Sequence, residues 1–162
     1  MKDILDKITA YNLFNYLVPG VLFAVILESL TSYSITQEDL IIGAFLYYFV
    51  GLVISRFGSL VVEPVLKKIS FVQFMPYADF ISASKSDSKI ELLSQDNNMY
   101  RTLVAMFALL LLAKAYDMLS VTYPVLREQS VMIVVVLLLV TFLLSYSKQA
   151  KFVADRIKVA KS

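Results

Sequence analysis

Four ionisable side chains, Glu28, Arg56, Lys114 and Asp117, stand within or at the rim of stretches otherwise almost free of charge. A charge in hydrocarbon is costly even by insertion scales, so such residues mark ion pathways, counter-ions or gates by default. Arg56 lies about two turns before the end of the apolar run 40–62, close enough to snorkel towards the interface. Glu63, seven residues on, falls near the same helical face and is a candidate partner. Lys114 and Asp117 are three apart and can pair on one face. Glu28 ends the preceding apolar run, and a Glu28–Lys114 contact between spans is geometrically open. Facing a common axis in an oligomer, Glu28, Lys114 and Asp117 would ring the mouth of a pore, and Arg56 would line or gate it if it does not simply snorkel or pair.

Other chemistry is poorly provided for. The chain has no Cys and no His, which removes thiol nucleophiles, disulfides, Cys/His zinc sites and imidazole acid/base work together. No Gly-rich phosphate loop, nucleophile elbow or metal-ligand spacing occurs, and the acids are scattered. The expectation is therefore no enzyme, with no catalytic residue, no metal and no cofactor. Net charge is only +2, so no strong field recruits nucleic acid, and direct nucleic-acid binding is not expected.

Hydropathy supplies the frame for those charges. Hydrophobic residues make up 59% of the 162 and charged ones 17%, with mean hydropathy +0.72. Soluble domains carry about a quarter charged residues, and the apolar excess here lies in long runs. The run LIIGAFLYYFVGLVISRFGSLVV, residues 40–62, would rise about 34 Å as a helix, slightly more than the hydrocarbon core. Counting similar runs predicts an all-α membrane protein with a single integral domain. Its four transmembrane helices cover residues 11–30, 40–62, 102–119 and 129–147. The third is the weakest, since only 102–113 is free of charge, and a re-entrant or interfacial element is the alternative. Near the start, Asp3 and Asp6 dilute the positive end and no small-x-small site follows the run 8–27, so a retained span is expected there. Pro19 should kink that span. The amides of Asn12 and Asn15 should face other helices or the interface. Thr36, three before Asp39, resembles a capping box for the second span.

Between the second and third spans, residues 63–101 form the one sizeable polar segment, with five bases, five acids and the breakers Pro64 and Pro76. It is too short for an ordinary independent domain. Phe71, Phe74, Tyr77 and Phe80 recur at three-residue intervals within it. Such a stripe suits a membrane surface or a protein partner, and packing under the chain's own helices fits equally well. The tail, residues 148–162, holds Lys148, Lys151, Arg156, Lys158 and Lys161 against Asp155. It reads as a helical, basic, amphipathic end drawn to anionic lipid head groups, or as a plain solvated terminus. With four spans, both termini and the 63–101 segment share a side that carries 12 of the 15 Lys and Arg residues. The positive-inside rule places that side, and both termini, in the cytoplasm.

Gly51, Ser55 and Ser59 line one face of the second span at four-residue spacing, a pattern that lets helices approach closely. Four short-looped spans bury little surface alone and lack a transporter's paired repeats, so a homo-oligomer joined through this face is expected.

The pieces YNLFNYLVPG and PYADFISASKSDSKIELLSQDNNMYRT resemble small four-span bacterial inner-membrane proteins encoded with anti-phage defence genes, such as the membrane subunit of the Kiwa system. The resemblance covers most of the chain as architecture. It implies a homo-oligomer in the bacterial inner membrane, a cytosolic protein partner and a role in membrane surveillance or disruption. It carries over no functional residue.

Overall fold

The computed structural model describes residues 10–161, with the side chains of Ala10 and Lys161 outside the description. Lys2, Lys7 and Lys161, counted above for orientation or lipid contact, therefore lie outside the described side chains. The elements are all helical among the described residues. They are α1 (residues 10–30), α2 (Leu40–Lys68), α3 (Tyr77–Ser86), α4 (Lys89–Thr122), α5 (Pro124–Glu128) and α6 (Ser130–Lys161). Helices α1, α2, α4 and α6 are each long and apolar enough to cross a membrane. The chain is thus an all-helical, multi-pass membrane protein.

The doubtful third span is one continuous helix. At 34 residues α4 extends about 51 Å, so Lys114 and Asp117 interrupt its apolar surface without interrupting its backbone. The fourth span likewise runs unbroken into the basic tail as the 32-residue α6. Both are longer than the roughly 30 Å hydrocarbon core, so each projects well beyond the apolar layer.

One proline departs from expectation, since Pro64, read as a breaker, sits inside α2. Neither Pro19 nor Pro64 ends its helix. A proline offers no N–H to the carbonyl four residues back, and the backbone must widen to accommodate it. In α1 a π-helical turn, Leu13–Leu17, precedes Pro19, with the Val18 N–H donating to the Leu13 carbonyl. In α2 the same device, Gly58–Val62, precedes Pro64, with the Glu63 N–H donating to the Gly58 carbonyl. Helix α2 therefore continues to Lys68, where Ser70 adopts φ 58°. There the Ser70 N–H meets the Lys67 carbonyl and the Phe71 N–H meets the Leu66 carbonyl, a Schellman ending. At the other end of α2 the capping box is not formed. Asp39 itself is the cap, its Oδ1 accepting from the Ile41 and Ile42 amides at 2.8 and 2.9 Å. Thr36 instead donates to Glu28 Oε2 at 3.0 Å.

Three helices make the core. Leu27 of α1, Ile54 of α2 and Ala105, Met106 and Leu110 of α4 form the buried apolar cluster. Helices α1 and α2 cross at two glycines. A Cβ on Gly20 would stand 1.8 Å from the Tyr47 carbonyl oxygen, and one on Gly51 would stand 1.7 Å from that of Tyr16. Only glycine lets the two backbones meet there, which is how membrane helices gain packing without a hydrophobic driving force. Among the described residues helix α6 contributes none that is buried. It leans on α2 along one stripe, where Phe49 and Phe142 stack at 6.0 Å.

A candidate functional site at the basic end of the bundle

The start of α1, the end of α2, the Arg101 region of α4 and the Lys148 region of α6 meet at one end of the bundle. Inside that end lies a polar centre. Asn15, Ser55 and Thr102 are 1%, 6% and 0% exposed, one from each core helix. The Thr102 hydroxyl stands 2.9 Å from Asn15 Oδ1, 2.9 Å from the Asn98 carbonyl and 3.3 Å from Ser55 Oγ. The Asn15 amide donates to Ser55 Oγ at 3.5 Å. Buried polar groups are costly unless paired, so this centre sets the register of three helices as much as it stabilises them. Asn15 sits in the π-turn of α1, a type of turn that recurs at functional positions.

A charge cluster lies just beyond it. The carboxylate of Glu63 is split between two cations, with Arg101 Nη1 at 2.6 Å and Lys67 Nζ at 2.9 Å. The Arg101–Glu63 pair is part-buried and joins α4 to α2, while Lys67 belongs to the same helix as Glu63. Lys148 of α6 donates to the carbonyl and the hydroxyl of Ser59, both at 2.7 Å. The expected Arg56–Glu63 pair is not formed, because Glu63 is already occupied by the closer Arg101 and Lys67. Arg56 instead lines a cleft between α2 and α6 together with Ser59, Ser145, Lys148 and Gln149.

The small-residue face is used within the chain. Gly51 meets α1, Ser55 meets Asn15 and Thr102, and Ser59 meets Lys148. The residues proposed for helix packing do pack helices, but α1, α4 and α6 occupy that face, which leaves it closed to a second copy. The apolar surface still open lies elsewhere, chiefly around α6.

The other intramembrane charges gather at the opposite end. Asp117 accepts from the Ser32 hydroxyl at 2.6 Å, and Lys114 Nζ lies 3.9 Å from it on the same helix. Glu28 is bound to Thr36 and makes no ion pair with Lys114 among the described residues. Nearby, the Tyr116 hydroxyl donates to the Leu126 carbonyl at 2.5 Å, tying α4 to α5. Arg56 is thus separated by most of the bundle from Glu28, Lys114 and Asp117.

The aromatic stripe is divided. Tyr77 packs against Phe152 of α6 with ring centres 6.0 Å apart, and Phe80 is half-buried beside the buried Ile81. Phe74 lies under Lys67, whose Nζ is 4.1 Å from the ring centre. Phe71 and Met75 remain 75% and 76% exposed. The three-residue spacing holds within α3 alone, because residues 71–76 precede its first turn and do not continue its face. In the tail, Lys151, Arg156 and Lys158 are exposed, with Lys158 3.6 Å from Asp155.

Sequence reasoning missed Thr102, Arg101 and Ser32 as partners. The available signal was a hydroxyl and a guanidinium at the mouth of an apolar run, opposite the flagged Asn15. No group of three or more Asp or Glu residues placed to hold a metal occurs among the described residues. What the arrangement can do is hold the ends of α2 and α4 through one carboxylate, tie α6 to α2 through Lys148 and Ser59, and offer cations at the end of the bundle. The fold and site define a small, multi-pass helical membrane protein with a polar, basic end. Comparison with protein-family models, with curated proteins and with solved structures gives no match.

Proposed function

We propose that the chain is an oligomeric effector or sensor of the bacterial inner membrane, coupling a cytosolic partner or signal to membrane permeability. Both termini and residues 63–101 face the cytoplasm in this reading, because the Lys and Arg residues concentrate on that side. The supporting observation is the Glu63 junction. One carboxylate links α2 and α4 beside Lys148 of α6, where the segment 63–101 leaves the membrane. A partner that pulls on that segment acts directly on the ends of three spans. The resemblance to membrane subunits of anti-phage defence operons supports the same assignment.

A second reading, a non-conducting anchor or scaffold for a soluble partner, is favoured by the exposed Phe71 and Met75 beside the charge cluster. One experiment separates the two: membrane depolarisation and dye uptake on induced expression of the wild type, Arg56→Ala and Lys114→Ala. An effector depolarises the cells, and at least one variant alters the response. Unchanged permeability under every activating condition removes the effector reading and leaves the anchor.

A further inference from the structure

We infer that the cleft between α2 and α6 is a binding site for the phosphate of an anionic glycerophospholipid, with Arg56 and Lys148 as its cations. The hydrogen-bond inventory points there. Lys148 Nζ has three N–H donors and spends two on Ser59. The Arg56 guanidinium lines the cleft and makes no ion pair among the described residues. Ser145 Oγ is buried in the same wall with no hydrogen-bond partner, an arrangement that a folded chain retains when another molecule supplies the acceptor. Gln149 adds a carboxamide. No carboxylate lines the cleft, and the nearby Glu63 is committed to Arg101 and Lys67. Two cations and a waiting hydroxyl without an acid are the complement of an oxyanion.

Depth and shape select a lipid. The cleft sets Arg56, about two turns inside the end of the apolar run 40–62, against Lys148, just past the run 129–147, a depth from which long cationic side chains reach up to lipid phosphates. The cleft's volume is about 20 Å³, room for one oxygen-sized group, so a phosphate oxygen enters while the rest of the molecule stays outside. Leu60 and Phe152 line the same cleft and give it apolar surface for the start of an acyl chain. Basic pockets between membrane helices are a recurrent way of holding anionic head groups. This site differs from the exposed tail cations, which attract such lipids without orienting them. It rests on the membrane-spanning reading and is independent of permeability.

The test is titration of the detergent-purified full chain with phosphatidylglycerol, counting bound lipid by native mass spectrometry. Phosphatidylcholine and inorganic phosphate serve as the other arms. The wild type should retain phosphatidylglycerol in preference to phosphatidylcholine, and Arg56→Gln should weaken retention about tenfold, the loss expected for a charge-assisted contact. Ser145→Ala should weaken it a few-fold while leaving the Tm in lipid-free detergent unchanged or raised, which guards against loss by misfolding. A variant with Lys151, Arg156 and Lys158 all changed to Gln should keep the tightly held lipid. Retention unchanged in Arg56→Gln and Ser145→Ala overturns the assignment. So does equal binding of phosphatidylcholine, or inorganic phosphate raising the Tm as much as the lipid does.

Discussion

Replacing Gly51 by Ala tests the helix crossing on which the basic end is built. The added Cβ would lie 1.7 Å from the Tyr16 carbonyl oxygen and within 3.0 Å of the Tyr16 carbonyl carbon and Cα. All three atoms are backbone, so no side chain can rotate away, and α1 must move off α2 by more than about 1 Å. Overpacking of this kind costs about 1–3 kcal/mol where side chains can adjust, so a backbone clash belongs at or above the upper end. The helical preference for Ala over Gly returns less than about 1 kcal/mol. A net loss of about 2–3 kcal/mol remains, and for a chain of this length each kcal/mol moves Tm by roughly 2–4 °C. The expected fall is about 4–12 °C, followed by far-ultraviolet circular dichroism in detergent. Gly43→Ala is the control. Its Cβ would have as nearest neighbours the Tyr47 ring at 3.2 Å and the Gln37 Cβ at 3.5 Å, side-chain atoms that can give way, so Tm should hold or rise. A Gly51→Ala protein as stable as wild type would refute the close crossing, and with it the claim that this face is filled within the chain.

Two further outcomes follow from the polar end. Glu63→Gln leaves the Arg101 guanidinium part-buried without its counter-charge and should destabilise by about 1–3 kcal/mol, below the cost for a fully buried pair. A double-mutant cycle with Arg101→Met should give a coupling above about 0.5 kcal/mol, whereas strict additivity would dissolve the junction. Thr102→Val keeps the volume but strands the Asn15 amide oxygen, for a loss of about 1–3 kcal/mol in thermal unfolding. A Thr102→Val protein of unchanged stability would mean the buried centre is not a working hydrogen-bond network.

Much of the fold was legible because hydrocarbon is an undemanding solvent to read. Runs such as 40–62 and 129–147 must be helical in it, since every backbone N–H and C=O needs an internal partner. Charge placement predicts which ends share a side. The device at the prolines was not legible, because a residue pattern that ends a helix in water can be absorbed by a wide turn where neighbouring helices hold it. The partner of Glu63 was not legible either. Arg56 shares a helical face with Glu63 seven residues on, but Lys67, four residues away, and Arg101, 38 residues away in sequence, hold the carboxylate instead. The aromatic stripe was over-read for the same reason, since a period has meaning only while one helix lasts, and α3 begins at Tyr77.

By itself, the sequence determined that four apolar helices exist, that enzymatic groups are scarce and that cations crowd one end, because these depend on residue type and spacing alone. Tertiary structure alone decided that Gly51 faces α1 instead of a second copy. It also decided that Asn15, Ser55 and Thr102 share one centre, and that Arg56 and Lys148 line one cleft. Those outcomes depend on how the helices are rotated about their axes, and rotation is set by backbone contact at two glycines and by a few buried hydrogen bonds.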